Sequence, residues 1–244
     1  MPDLTSNPGT LDVLAVAAHP DDAEITCGGL LIRMAKLGRQ TGILDLTRGE
    51  MGTSGDSHER EAEAAEATRI LGLAYRSNLS LPDSALDLSQ ANKLLLAAAI
   101  RQTRPELIIL PHWEQRHPDH VACYRLGYDA CFLAGLKKLA IDGEPFRPRK
   151  IVYVSYFRNT DYSFLVDISA EFDQKCQAVA AYRSQFANPA APRQVFHPGV
   201  DIFDLMRTRA AALGQPANVK YAEAYTVKEQ ILIDDPQKMP IASI

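Results

Sequence analysis

The sequence predicts an α/β fold, a Rossmann-like three-layer sandwich built on a mostly parallel sheet of strand order 3-2-1-4-5. Short apolar runs alternate with amphipathic stretches at the spacing of βαβ units. The clearest of these runs, within 11–17 and over 107–110, are apolar at consecutive positions rather than at every second residue, as in strands covered on both faces. Right-handed crossovers then favour the stated order, in which strands 1 and 4 are neighbours. The crevice at their carboxyl ends is the switch point where such sheets bind ligands.

The elements follow in order. Residues 1–10 hold Pro2, Asn7, Pro8 and Gly9 and read as a loose lead-in. Residues 11–17 form the first strand by length and flanks. Residues 22–37 place Ile25, Leu30, Leu31, Met34 and Leu37 on one helical face, with Gly38 as the stop signal. A second strand over 41–47 leads into a glycine-containing polar loop, Arg48 to Ser57. A charged helix over 58–72 ends at Gly72. A third strand is expected over 76–81, a helix over 89–103, and a fourth strand over 107–110, closed by Pro111. Helix follows over 118–139, then strands over 151–156 and 164–168. Ser169 is placed to cap a helix over 170–183. A last helix is expected over 198–213, and the segment after Tyr221 matches no element pattern.

Composition bounds the function. The 244 residues are 46% hydrophobic and 23% charged, which suits a sizeable core and argues against disorder or coiled coil. They read as one domain, residues 1–244. The net charge of −4 speaks against a general nucleic-acid binder, which needs a basic surface. The longest aliphatic run, Leu94 to Ile100, is far short of the ~20 residues of a membrane span. The amino terminus lacks the basic region of a secretory signal. Cys27, Cys123, Cys131 and Cys176 form no CxxC pair and read as small buried hydrophobes of a cytoplasmic protein.

Two segments carry chemistry. His19-Pro20-Asp21-Asp22-Ala23-Glu24 follows the first strand, and His117-Pro118-Asp119-His120 follows the fourth. Each alone reads as a helix start, with a capping aspartate and proline in the first turn. Together, at neighbouring strand ends, they point to a metal. Catalytic zinc takes about three protein ligands from imidazole and carboxylate and keeps one position open. His19 and Asp22 can face one ion across a strand-to-helix turn, and His120 can arrive from the neighbouring loop. His117 lies one turn from His120 and can share its side without ligating. Among the other histidines, His58 reads as solvated, His112 as a loop residue that could also line the crevice, and His197 as a turn residue.

AHPDDAE after a first strand, with HPDH about a hundred residues later, resembles the PIG-L/LmbE family of zinc-dependent N-acetylglucosamine deacetylases. The likeness extends through LDLTRGEMGTSG (44–55), EREAEAAEATRILG (59–72), NLSLPD (78–83), DACFLAGLKK (129–138), VDIS (166–169), AYRSQF (181–186) and VKYAEAY (219–225). The combination is most similar to the bacillithiol-biosynthesis branch, which deacetylates N-acetylglucosaminyl-L-malate.

The resemblance implies His19, Asp22 and His120 as ligands of Zn2+, with Fe2+ an alternative ion in vivo. It implies Asp21 as the general base and His117 as the group assisting at the scissile carbonyl or leaving amine. It implies Arg60 as a substrate-binding residue, suited to the carboxylates of a malate group. On the pattern of residues alone Arg60 is a surface partner of Glu63 or Glu66. Arg48 and Arg116 could also contribute. Asp119 reads as a helix cap or as the group orienting His117. Glu24 reads as an outer support of the metal site, and Tyr182, Ser184 and Gln185 have no assigned role. Gln115 stands where relatives of the mycothiol pathway carry tyrosine, which weakens that pathway for this chain. The implied partners are a small N-acetylated sugar and other copies of the chain, a homo-oligomer such as a hexamer, with neither nucleic acid nor membrane. The alternatives are an amide hydrolase for another N-acetylated sugar or a thiol S-conjugate, and a non-catalytic Rossmann-like binding protein. The last would want a glycine-rich turn after the first strand, where this chain has AHPDD.

Overall fold

A computed structural model describes residues 9–157, 160–187, 201–239 and 241. Five parallel strands make the central sheet: β1 (Val13–Ala17), β2 (Thr41–Thr47), β3 (Tyr75–Leu81), β4 (Leu107–Pro111) and β5 (Lys150–Val154). Their order is β3-β2-β1-β4-β5, as the sequence predicts. Every residue of β1 and β2 is buried, which is why β1 is apolar without alternation.

The alternation of side chains divides the core between the two faces of the sheet. Leu14 and Val16 point to the face covered by α3 (Gln90–Thr103) and α4 (Pro118–Ala134), packing with Leu96, Ile100, Cys123 and Leu126. Val13, Ala15 and Ala17 point to the other, with Ala23, Cys27 and Leu31 of α1 (Asp22–Lys36). On that side α5 (Phe172–Ala180) packs against α1 and against α2 (Ser57–Leu71). Asp56 caps α2 by accepting from the His58 and Glu59 amides, and Gly72 ends it in the left-handed conformation. Ser89 caps α3 in the same manner.

Three expectations are corrected. The helix expected over 118–139 ends at Ala134. The buried Arg101 guanidinium draws the chain into turns there, donating to the carbonyls of Ala134, Leu136, Ile141 and Gly143 at 2.7–3.0 Å. Ser169 caps no helix: its hydroxyl donates to Asp167 at 2.6 Å, forming a turn, and α5 begins later. The helix expected to reach 183 breaks after Ala180 and resumes as a short α6 (Arg183–Phe186). The strand expected over 164–168 forms as β6 (Phe164–Asp167); it lies outside the main sheet and pairs antiparallel with β7 (Ala222–Tyr225), from the segment that matched no pattern. This ribbon rests on α1, where the buried Glu223 carboxylate accepts from the Gly29 and Leu30 amides at 2.8 Å and from Lys175 at 2.6 Å. The last helix, α7, spans Ile202–Gly214; its expected start at 198 and the turn at His197 lie outside the described residues, as do residues 1–8 of the lead-in. Among the described residues no helix is long and apolar enough to cross a membrane. Cys27, Cys123 and Cys131 are buried as expected, while Cys176 is half-buried.

Candidate active site

Loops at the carboxyl ends of β1, β2, β3 and β4 converge at the switch point between β1 and β4. The β1–α1 turn brings His19 and Asp22 together, and the first turn of α4 adds His120. Asp22 Oδ2 lies 3.3 Å from His19 Nδ1, and its Oδ1 lies 3.1 Å from His120 Nε2. One donor atom from each residue falls within 4.8 Å of the other two. Two imidazoles and one carboxylate with room for a fourth ligand are the donor set of a catalytic divalent-metal site, zinc among them. His19, His117 and Asp119 form a second group of the same kind. The far side of His19 favours the first. Its Nε2 faces two carboxylates, Asp83 at 3.1 Å and Asp119 at 3.3 Å, so that nitrogen carries a proton and Nδ1 is the one that could hold an ion.

These carboxylates set the charges. Burial opposes a proton on His19, but Asp119, Asp22 and Asp83 outweigh it and raise its pKa well above the ordinary value. Burial pushes Asp22 up, yet His120 and His19 hold it well below the carboxylate range. Asp83 is likewise held to about 2: burial is overcome by His19 and by the Met51 and Ser84 amides.

Asp21 is set apart from this cluster. It occupies the cap position of α1 with φ 111° and makes no capping bond, so the capping alternative fails here. Its carboxylate instead faces Arg60, whose Nη2 lies 3.3 Å away and donates to the Pro20 carbonyl at 2.8 Å. Arg60 is therefore no surface partner: it is 4% exposed and passes over the Tyr182 ring at 5.9 Å. Burial raises the Asp21 carboxyl to about 7 against the pull of Arg60.

In HPDH the capping reading survives with another residue. His117 is the cap of α4, its Nδ1 accepting from the Asp119 amide at 3.1 Å. Asp119 is no cap: it sits inside the first turn, accepts from the Ser84 amide at 2.7 Å and braces His19. Burial and the neighbouring His19 lower the His117 pKa, which keeps the ring neutral at pH 7. The ring stands 4.9 Å from His19 and 5.1 Å from His120.

Glu24 lies behind the turn, fully buried, where Arg76 reaches it at 2.6 Å and Tyr182 donates at 2.8 Å. Arg76 also grips Asp45 through Nε at 2.8 Å and Nη2 at 3.1 Å, tying β3, β2 and α1 together beneath the site. His58 is exposed, as read from sequence. His112 serves its loop: it is buried, stacks on Trp113 at 3.9 Å and accepts from the Glu114 amide. Arg48 and Arg116 are exposed, Arg48 bonding Ser80. The sequence reading missed Asp83 and Tyr156. Asp83 ends the NLSLPD run at the carboxyl end of β3, and that position was its signal. Tyr156 lines a narrow cleft together with Asp22, Gln115 and His120, its ring 5.3 Å from His120. Gln115 donates to the Val154 carbonyl at 3.3 Å.

The family model PIG-L, described as GlcNAc-PI de-N-acetylase, matches residues 14–131. The diacetylchitobiose deacetylase of Thermococcus kodakarensis is 30% identical over 225 residues, covering 86% of this chain and 80% of the relative. The chain belongs to the PIG-L family. A crystal structure of a conserved protein from Thermus thermophilus superposes with a TM-score of 0.84 at 44% identity, over 92% of this chain and 97% of the other. The 1D-myo-inositol 2-acetamido-2-deoxy-alpha-D-glucopyranoside deacetylase of Rhodococcus erythropolis is 29% identical over 58% of this chain and 60% of the relative. Membership makes the protein a metal-dependent N-deacetylase and gives the His19–Asp22–His120 cluster its context.

Proposed function

We propose that this PIG-L protein is a zinc deacetylase that removes the N-acetyl group from N-acetylglucosaminyl-L-malate. The observation that carries the hydrolytic reading is the placement of Asp21. It adjoins a ligand, lies outside the ligand group, and is held by Arg60. His19, Asp22 and His120 would hold the ion. When bound, the ion supplies Lewis acidity to the acetyl carbonyl and acidifies water.

The rest is done by the chain. Asp21, at about 7, is ionised in useful amount near neutrality and basic enough to take a proton from the attacking water. His117 uses Nδ1 as an acceptor, so its proton sits on Nε2. That N–H donates a hydrogen bond to the developing oxyanion, and the departing amine takes the proton that Asp21 removed from the water. Asp83 and Asp119 keep His19 in one orientation and one tautomer. Arg60 remains the substrate-binding residue of this reading. Its Nη2 is committed to Pro20 and Asp21, while Nε has no hydrogen-bond partner among the described residues. The malate glycoside is favoured by the TRGEMGT, DACFLAGL and SQF runs and by Gln115. A cytoplasmic homo-oligomer, hexameric by the same resemblance, completes the proposal.

The relatives' names favour a second substrate reading, an acetylated disaccharide or an inositol-linked sugar. The test is amine release by zinc-loaded protein from N-acetylglucosaminyl-malate, beside free N-acetylglucosamine, diacetylchitobiose and an S-conjugate at equal concentration. A large preference for the malate glycoside is expected. Equal or better turnover of another substrate moves the assignment there, and no amine release from any, with metal bound, overturns the hydrolytic reading.

A further inference from the structure

Two polar side chains of AYRSQF, Ser184 and Gln185, meet the loop between β2 and α2. This loop, Gly49–Gly55, is held at two ends. At the near end the Met51 amide donates to Asp83 at 2.8 Å, and the other oxygen of Asp83 reaches His19. At the far end Gln185 Nε2 donates to the Ser54 carbonyl at 2.6 Å. Ser184 packs beneath Gly55, where a Cβ would lie 2.6 Å from Ser184 Cβ and φ is +74°, so glycine alone fits. Ser184 is itself pinned by Glu63, which accepts from its amide and its hydroxyl, both at 2.7 Å. Glu63 lies one helical turn beyond Arg60 on α2. Between the two ends the loop wraps the guanidinium: a Cβ on Gly49 would lie 2.9 Å from Arg60 Nη2. The crest carries Met51, 68% exposed, beside the amide that binds Asp83.

We propose that Ser184 and Gln185 are positioning residues that hold Gly49–Gly55 as a wall of the substrate site, with Met51 facing the part of the substrate beyond the acetamido sugar. The proposal rests on the deacetylase reading. The loop is rich in glycine and free of helix and strand, and its own backbone closes at the near end, where the Gly52 amide donates to the Gly49 carbonyl at 3.1 Å. With its far end tethered, its conformational freedom is removed before substrate arrives. Untethered, the loop must be ordered by binding, so the loss falls on KM. Asp21, His117 and the ligands are untouched, so kcat is spared.

The experiment compares zinc-loaded full-length protein with Gln185→Ala, Gln185→Glu and Gln185→Lys on whichever acetamido sugar the wild type deacetylates, and follows amide hydrogen exchange over 49–56. Alanine and glutamate remove the donor to Ser54; lysine retains one. About a tenfold rise in KM with kcat within twofold is expected for the first two, with faster loop exchange and partial recovery in the lysine variant. Unchanged KM and exchange in Gln185→Ala, or an equal fall in kcat, overturns the proposal. Absence of wild-type turnover refutes the deacetylase reading instead, and loop exchange then decides the tether by itself.

Discussion

Replacing Asp21 with asparagine should abolish most activity and at the same time make the metal-free protein more stable. The carboxyl is held at about 7 by burial. In the unfolded chain an aspartate titrates near ~3.9. At about 1.4 kcal/mol per tenfold, keeping it ionised in the folded protein costs up to ~4 kcal/mol. The sign follows from proton binding. Between about pH 4 and about 7 the folded state holds more protons than the unfolded one, so wild-type stability falls as pH rises through that window and stays low above it. Asparagine removes this cost and keeps the shape. Its Oδ1 still accepts from Arg60, and it tolerates the φ of 111° better than alanine does. A gain of about 2–4 kcal/mol corresponds to roughly 5–15 °C in Tm for a chain of this size. General-base catalysis typically contributes about 10²–10⁴ in rate, so kcat should fall by about a thousandfold. Metal content should remain at the wild-type level, because Asp21 lies outside the ligand cluster. The assays are thermal unfolding of apo-protein at pH 5 and pH 8, metal analysis, and amine release. Turnover within tenfold of wild type would refute the base assignment. An apo-variant less stable than wild type at pH 8 would refute the electrostatic argument.

Two further outcomes follow from neighbouring contacts. Asp83→Asn should weaken metal binding about 10–100-fold in a competitive chelator titration, since one support of His19 is lost. Asp83 is held near 2, so its contribution of about 2 kcal/mol is present above about pH 4 and lost as pH falls toward 2; the apo-variant should be less stable at pH 7 and show a shallower acid limb. Arg101→Met should cost about 3 kcal/mol or more in denaturant unfolding, because buried carbonyls at the end of α4 lose their donor, while metal affinity stays unchanged.

The sheet and the meeting of His19, Asp22 and His120 were legible in the amino-acid order. Uninterrupted apolar runs such as 13–17 and 107–110 call for cover on both faces, and that favours parallel strands with helical crossovers. The crossover rule then sets the order, and the order brings the end of β1 beside the end of β4. His19, Asp22 and His120 sit within a few residues of those ends, so their meeting follows from local spacing and topology. What lies behind them was settled by distant contacts. Whether Asp119 caps a helix or braces His19 depends on a contact across 100 residues, and that is invisible in HPDH. Arg60 looks like a surface residue by its charged helical neighbours, yet the β2–α2 loop and Tyr182 bury it against Asp21. β7 has no pattern of its own because its side chains answer to α1 and β6 rather than to a local period. Periodicity reports which face of an element is covered; it carries no record of which distant polar group completes a hydrogen bond there, and in this site those partners orient His19 and shift Asp21.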